Sequence, residues 1–412
     1  MTRRSPWIVA FFVFFSAALC AQTRVESRLA KYFSVESDDE AGELLSEILN
    51  RLGENKSELI PLIKACKSEL KEEQVLKIPY RGQLLQVTVR IPKGHDRTKA
   101  RLPVVLDASF GNNLSWLKID GAITAFIDKY TPPEFSDEGR DGFLKVLKYV
   151  AHFAHGDMDR MWMTGFSWAA HASYDTALHR PGQLRGIIPL GGGPRRVHFR
   201  LLPNLQSTNV FSCCGGKDDN ELIWNLVEIA RLHKKLKLNY KLNIDKSKGH
   251  SLPLAGMDAA KDLVKTTVAF PKKEKGKIYV DAVKVSTPML RVDKVEAKKV
   301  RISRRIPVSA TASPDQQRRK VLQVMGKKVA TLDWKINSKK KSVELSLKGK
   351  GVRGCTVYLR DDRFQAGEKV HVKSNAGTKK LVVTFDPRTA LTEARRTGDR
   401  MHVVFQAVKL DW

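Results

Sequence analysis

Acidic residues are scarce in this chain. Its 412 residues include 44 aspartates and glutamates against 73 lysines and arginines, a formal net charge of +29. The imbalance is uneven. From Phe270 onward 35 basic residues face 14 acidic ones, which concentrates the surplus in the last third and marks a second domain. Cysteine is rarer still, at five residues, too few for a disulfide scaffold. Cys66, Cys213, Cys214 and Cys355 lie beyond the N-terminal leader; one bridge among them has no readable pairing, and buried free thiols are the expectation. Neither the histidines nor the cysteines show metal-ligand spacing, so no metal is expected, and no cofactor is called for. Aromatics make up only 8% and do not interleave with the basic residues, which argues against a nucleic-acid partner. Beyond the N-terminus no apolar run is long enough to cross a bilayer, so no transmembrane helix is expected after leader removal.

What is present is enough apolar residue, 42%, for packed cores. The N-terminus has Arg3 and Arg4, an apolar run from Trp7 to Phe15, then Ser16-Ala17-Ala18-Leu19-Cys20-Ala21. A basic start, a short apolar run and small residues predict a signal peptide over 1–21, hence a secreted or periplasmic protein. Residues 22–74 read as a helical segment, with Leu44, Leu45, Ile48 and Leu49 on one face, packing on the domain that follows.

From 75 to 269 strand-like and helix-like runs alternate. Val75–Tyr80 and Leu84–Pro92 flank a turn at Arg81-Gly82-Gln83. Leu102–Leu106 is a short buried strand, and residues 138–155 have helical spacing. Apolar runs at 184–190, 209–214 and 240–244 alternate with helices at about 221–235 and 256–266. The pattern predicts an α/β domain with a mostly parallel sheet flanked by helices. The Lys-rich stretch 270–278 reads as a linker. Residues 279–412, with short alternating runs and Gly/Asn turns, read as a small all-β, sandwich-like domain. Its surplus charge suits an anionic polysaccharide or an envelope surface, and equally suits sheet edges kept from pairing.

The chemistry centres on Thr164-Gly165-Phe166-Ser167-Trp168-Ala169. Strand, glycine, serine, small residue and helix are the layout of a nucleophile elbow, which lifts a serine hydroxyl above the end of a sheet. A serine needs a base to take its proton and a carboxylate to hold that base. His250 follows Gly249 at a strand end. Asp218 follows Gly215-Gly216-Lys217, with Asp219 beside it as the alternative acid or a helix cap; the spacing favours Asp218. Trp168 either walls an acyl pocket or packs beneath the helix.

Residues 75–268 resemble the α/β-hydrolase superfamily, in particular its secreted bacterial carboxylesterase and depolymerase-like branch. The stretches that carry this are Val87–Arg97 with Leu102–Leu106, Asp157-Met158-Asp159-Arg160 leading into the elbow, Gly215–Asp218, and Gly249-His250. The residues after the elbow domain, Arg396–Asp399 and the strand Val403–Leu410, loosely resemble the β-rich module of such hydrolases. The resemblance implies Ser167 as nucleophile, Asp218 as acid and His250 as base, acting on an ester, in some relatives polymer-linked. It also implies an oxyanion hole with one backbone N–H from Trp168 and a second from Ala108 or Ser109. The family's usual His-Gly is replaced here by Asp107-Ala108-Ser109-Phe110-Gly111, and an acid near a developing oxyanion is unfavourable unless it turns away. A serine peptidase of the same fold and a non-catalytic glycan-binding protein are the alternatives.

Overall fold

The computed structural model describes residues 25–53, 56–65, 69–109, 119–129, 135–251, 256–269, 273–281, 284–296, 329–339 and 342–412, with scattered positions between 312 and 323. The predicted signal peptide and Cys66 lie outside them, as does most of the stretch 297–328 within the expected C-terminal domain.

Among the described residues three α-helices come first: α1 (residues 25–34), α2 (Asp38–Leu52) and the short α3 (Leu59–Lys64). The Ser37 side chain caps α2 by accepting from the Glu40 N–H, and Ala41, Leu44, Leu45 and Ile48 form its buried face. A hairpin follows, β1 (Glu73–Tyr80) and β2 (Gln83–Arg90), then β3 (Leu102–Asp107) and β4 (Ile123–Lys129). The chain continues through α4 (Asp137–Phe153), β5 (Gly156–Phe166), α5 (Trp168–His179), β6 (Gly186–Leu190), a 3₁₀ segment (Arg196–Ser207), β7 (Asn209–Gly215), α6 (Asn220–Leu236), β8 (Asn239–Asp245) and α7 (Met257–Thr266).

These eight strands form one sheet in the order β1-β2-β4-β3-β5-β6-β7-β8. Only β2 runs against the rest; β3 to β8 are parallel throughout. Being covered on both faces, the central strands are apolar along their length: β6 and β7 are buried at every position. One face packs on α4, α5 and α6 through Phe143, Leu147, Tyr174 and Leu226. The other packs on α7 through Met257, Ala260 and Val264.

The C-terminal third contains β9 (Lys275–Val280), β10 (Leu290–Val295), β11 (Ala330–Lys339), β12 (Ser342–Lys350), β13 (Val352–Arg360), β14 (Lys369–Ser374), β15 (Gly377–Val382), α8 (Pro387–Thr397) and β16 (Val404–Asp411). Two sheets, β10-β13-β16 and β15-β14-β12-β11-β9, share one core. Three expectations change here. The region is β-rich rather than all-β, because Asp386 caps and Pro387 starts a helix that Gly398 ends. Much of the expected linker is strand β9: Ile278 and Val280 point inward while the lysines line an edge of the sheet, where charge discourages further pairing. And α1 to α3 do not pack on the large sheet. Leu29, Leu44, Ile48 and Ile63 join the core of the C-terminal sheets. An amphipathic face reports that it is buried, not against what.

Candidate functional site

β5 ends at Phe166 and α5 starts at Trp168, leaving Ser167 alone at the corner with φ 55° and ψ −119°. That backbone is strained for a residue with a side chain and persists because both flanking elements hold it. The Ser167 N–H donates to the Leu190 carbonyl at 2.8 Å, and its carbonyl accepts from the Ala170 N–H at 3.0 Å. Behind it, a Cβ on Gly165 would lie 2.4 Å from Ala169 Cβ, so the strand and helix meet only because both residues are small. Trp168 is partly buried and packs against the large core.

Two later strands deliver the partners. β7 ends in the turn that carries Asp218, and β8 leads into the loop that carries His250. The Lys217 N–H donates to the Lys248 carbonyl at 2.8 Å, tying the two loops together. Gly215 is required there, since a Cβ would stand 2.2 Å from the Gly249 carbonyl oxygen. Ser167 Oγ then lies 2.9 Å from His250 Nε2. His250 Nδ1 lies 2.9 Å from Asp218 Oδ1 and 3.1 Å from Oδ2. The Asp218 side chain is 2% exposed and that of His250 51%, a buried acid behind an imidazole open to solvent. Phe166 stacks obliquely against His250, ring centres 5.1 Å apart. Asp219 takes the other role: its Oδ1 accepts the Leu222 N–H at 3.2 Å and caps α6.

The expected second oxyanion donors are corrected. The Ala108 N–H donates to the Thr164 carbonyl at 2.9 Å, and the Ser109 N–H donates to Asp107 Oδ1 at 2.7 Å. Neither is aimed at the space above Ser167. Ser109 instead supports the elbow, its Oγ accepting the Phe166 N–H at 2.8 Å. Asp107 has turned inward at the end of β3 and is fully buried. Burial pushes its carboxyl up to about 7, opposed by the Ser109 hydrogen bonds, and its Oδ2 has no hydrogen-bond partner among the described residues.

Asp175, His179 and His198 form a buried cluster that histidine spacing did not reveal, although Asp175 and His179 stand one helical turn apart on α5. Its cation is already present. Arg140 Nε donates to Asp175 Oδ2 at 2.6 Å, and His179 Nε2 reaches Asp281 at 3.3 Å. Cys213, Cys214 and Cys355 are free and buried; burial raises the thiols of Cys213 and Cys355 to about 12 and that of Cys214 to about 11.

A mostly parallel eight-stranded sheet with its second strand reversed, and a serine on the elbow between the fifth strand and the following helix, is the architecture of the α/β-hydrolases; the chain has that fold. No protein-family model and no curated protein sequence matches it. Among solved structures it is similar to Porphyromonas gingivalis dipeptidyl peptidase 4, at 14% identity and a TM-score of 0.39 over 53% of this chain and 38% of that one. It is similar to Thermogutta terrifontis esterase 2, at 11% identity and a TM-score of 0.38 over 50% of this chain and 98% of that one. A third is the S-formylglutathione hydrolase of Staphylococcus aureus, at 13% identity and a TM-score of 0.35 over 47% of this chain and 96% of that one.

Proposed function

We propose that this protein is an exported serine hydrolase that cleaves carboxylic esters through an acyl-enzyme on Ser167. The reading is supported above all by the unbroken chain of hydrogen bonds from Ser167 Oγ through His250 to the buried Asp218. Ser167 Oγ attacks the ester carbonyl carbon as His250 Nε2 takes its proton. Asp218 holds Nδ1–H and stabilises the imidazolium. The carbonyl oxygen becomes an oxyanion facing the Trp168 N–H at the head of α5, and collapse expels the alcohol, which leaves with the proton from His250. Water then repeats the sequence on the acyl-enzyme and releases the acid.

The test is fluorophosphonate labelling of the mature protein beside Ser167→Ala, with p-nitrophenyl acetate and an aminoacyl anilide as paired substrates. Labelling of the wild type alone, with ester turnover exceeding anilide turnover, is the expected result. Folded wild-type protein that neither labels nor turns over the ester overturns the reading; turnover of the anilide alone makes the protein a peptidase. Export, which rests on residues 1–21, is tested by fractionating cells that express the full chain.

A further inference from the structure

A cavity of about 340 Å³ lies where three parts of the chain meet: α1 and α2, the end of β1, and α4 with α8. It is remote in the sheet from the serine site, since β1 is at one edge and three strands separate it from β5. Tyr32, Leu45, Pro79 and Tyr80 contribute apolar and aromatic surface. Lys145, on α4, is the charged residue of the interior. It is only 7% exposed, and among the described residues its Nζ has neither a hydrogen bond nor an ion pair. Its Nζ lies over the Tyr80 ring, 5.6 Å from the centroid.

The other charged groups facing the cavity are committed or peripheral. Arg395 donates to the Tyr32 and Val35 carbonyls and pairs with the exposed Asp38 at 3.3 Å. Arg396 pairs with Glu393, Arg81 with Glu138, and Asp141 accepts from Arg180 at 2.9 Å. A buried amine with no counter-ion is costly, and burial, assisted by Arg395 and Arg396, lowers Lys145 to about 7 against the pull of Asp38.

We infer that this cavity binds a small aromatic carboxylate, its ring between Tyr32 and Tyr80 and its carboxylate on Lys145 Nζ. Size agrees: an apolar cavity of about 150 Å³ holds benzene, so this volume takes a substituted ring together with a carboxylate and its waters. Charge agrees as well, because an anion supplies the partner that the fold leaves out. The inference stands apart from the hydrolase reading and does not need Ser167 to react.

The experiment is calorimetric titration of the mature full chain with benzoate, beside benzyl alcohol, which has the ring and lacks the charge. Saturable one-to-one binding of benzoate is expected, with benzyl alcohol at least about tenfold weaker. Benzoate recruits the protonated amine, so binding takes up a proton and weakens by about tenfold or more from about pH 6 to about pH 8.5. Lys145→Met should lose benzoate binding and its pH dependence while keeping or raising thermal stability, since it removes an unpaired buried amine. Gly42→Phe is the second variant. Gly42 lines the cavity, and nothing lies within 4 Å of a Cβ built on it, so a larger side chain there crowds the cavity without clashing at its first carbon. Benzoate binding that survives both variants, as binding at the serine site would, overturns the inference. So does equal binding of benzyl alcohol, or no binding to the wild type.

Discussion

Gly165 and Ala169 face each other across the elbow at a separation that leaves no room for one more carbon, a Cβ on Gly165 falling 2.4 Å from that of Ala169. The strained backbone of Ser167 lies between them, so the position of its hydroxyl depends on how closely the strand and helix approach.

Gly165→Ala should therefore move Ser167 before it unfolds anything. A displacement near 1 Å in a reacting group costs about 10²-fold in rate. The expected result is a loss of that order in kcat for p-nitrophenyl acetate with KM little changed. Ala169→Gly, which opens space, should stay within about threefold of wild type. Equal activity of Gly165→Ala and wild type would dissociate the turn from catalysis.

The two neighbouring aspartates separate cleanly. Asp218→Asn removes the carboxylate that holds His250 and should lower kcat by about 10⁴-fold with the fold intact. Asp219→Ala removes the α6 cap and should cost about 0.5–2 kcal/mol of stability, leaving kcat unchanged. Denaturant unfolding and ester turnover of both variants check this, and the reverse pattern would exchange the roles.

Asp107 gives stability a pH dependence. Its folded pKa, about 7, is raised above the ordinary carboxylate value by burial. The fold therefore holds this proton more tightly than the unfolded chain does. Its contribution is most favourable below about pH 4 and is lost as pH rises through 7. Asp107→Asn keeps the acceptor for the Ser109 N–H and does not ionise. Its stability should exceed wild type by up to about 4 kcal/mol at pH 8, with the gap closing toward pH 4. Thermal midpoints across that range measure it, and a gap independent of pH would mean that Asp107 titrates in the fold as it does in the unfolded chain.

The Arg140–Asp175–His179–Asp281 chain joins the large sheet's helices to the segment after β9. Burial disfavours the charged form of His179, but its bonds to Asp175 and Asp281 prevail and raise it to about 9. That stabilisation is fully present below about pH 6.5 and lost as pH rises through 9. Asp281→Asn removes one partner of a buried charge and should cost about 3–5 kcal/mol at pH 6, less at pH 9. Unfolding curves at both values decide it; a cost that grows with pH would contradict a protonated His179.

Much of the candidate site was legible because its parts obey local rules. A turn with a strained serine needs small neighbours at 165 and 169, and parallel strands put the loops carrying residues 218 and 250 at one edge of the sheet. Other features carry a local signal of their own. Asp386, Pro387 and Gly398 mark the two ends of α8, and the Ile123–Lys129 run is strand β4.

By itself, the sequence determined the basic C-terminal third from composition, and the alternation of strands and helices and the order of serine, acid and histidine from periodicity or turn chemistry within a few residues. The tertiary structure alone decided that α1 to α3 complete the core of the distant C-terminal sheets, that Asp107 and Ser109 turn inward, and that Lys145 is buried with no ion pair among the described residues. Burial and pairing depend on which surfaces meet across hundreds of residues, and hydrophobic contact, being non-directional, leaves no mark in the local pattern that names its partner.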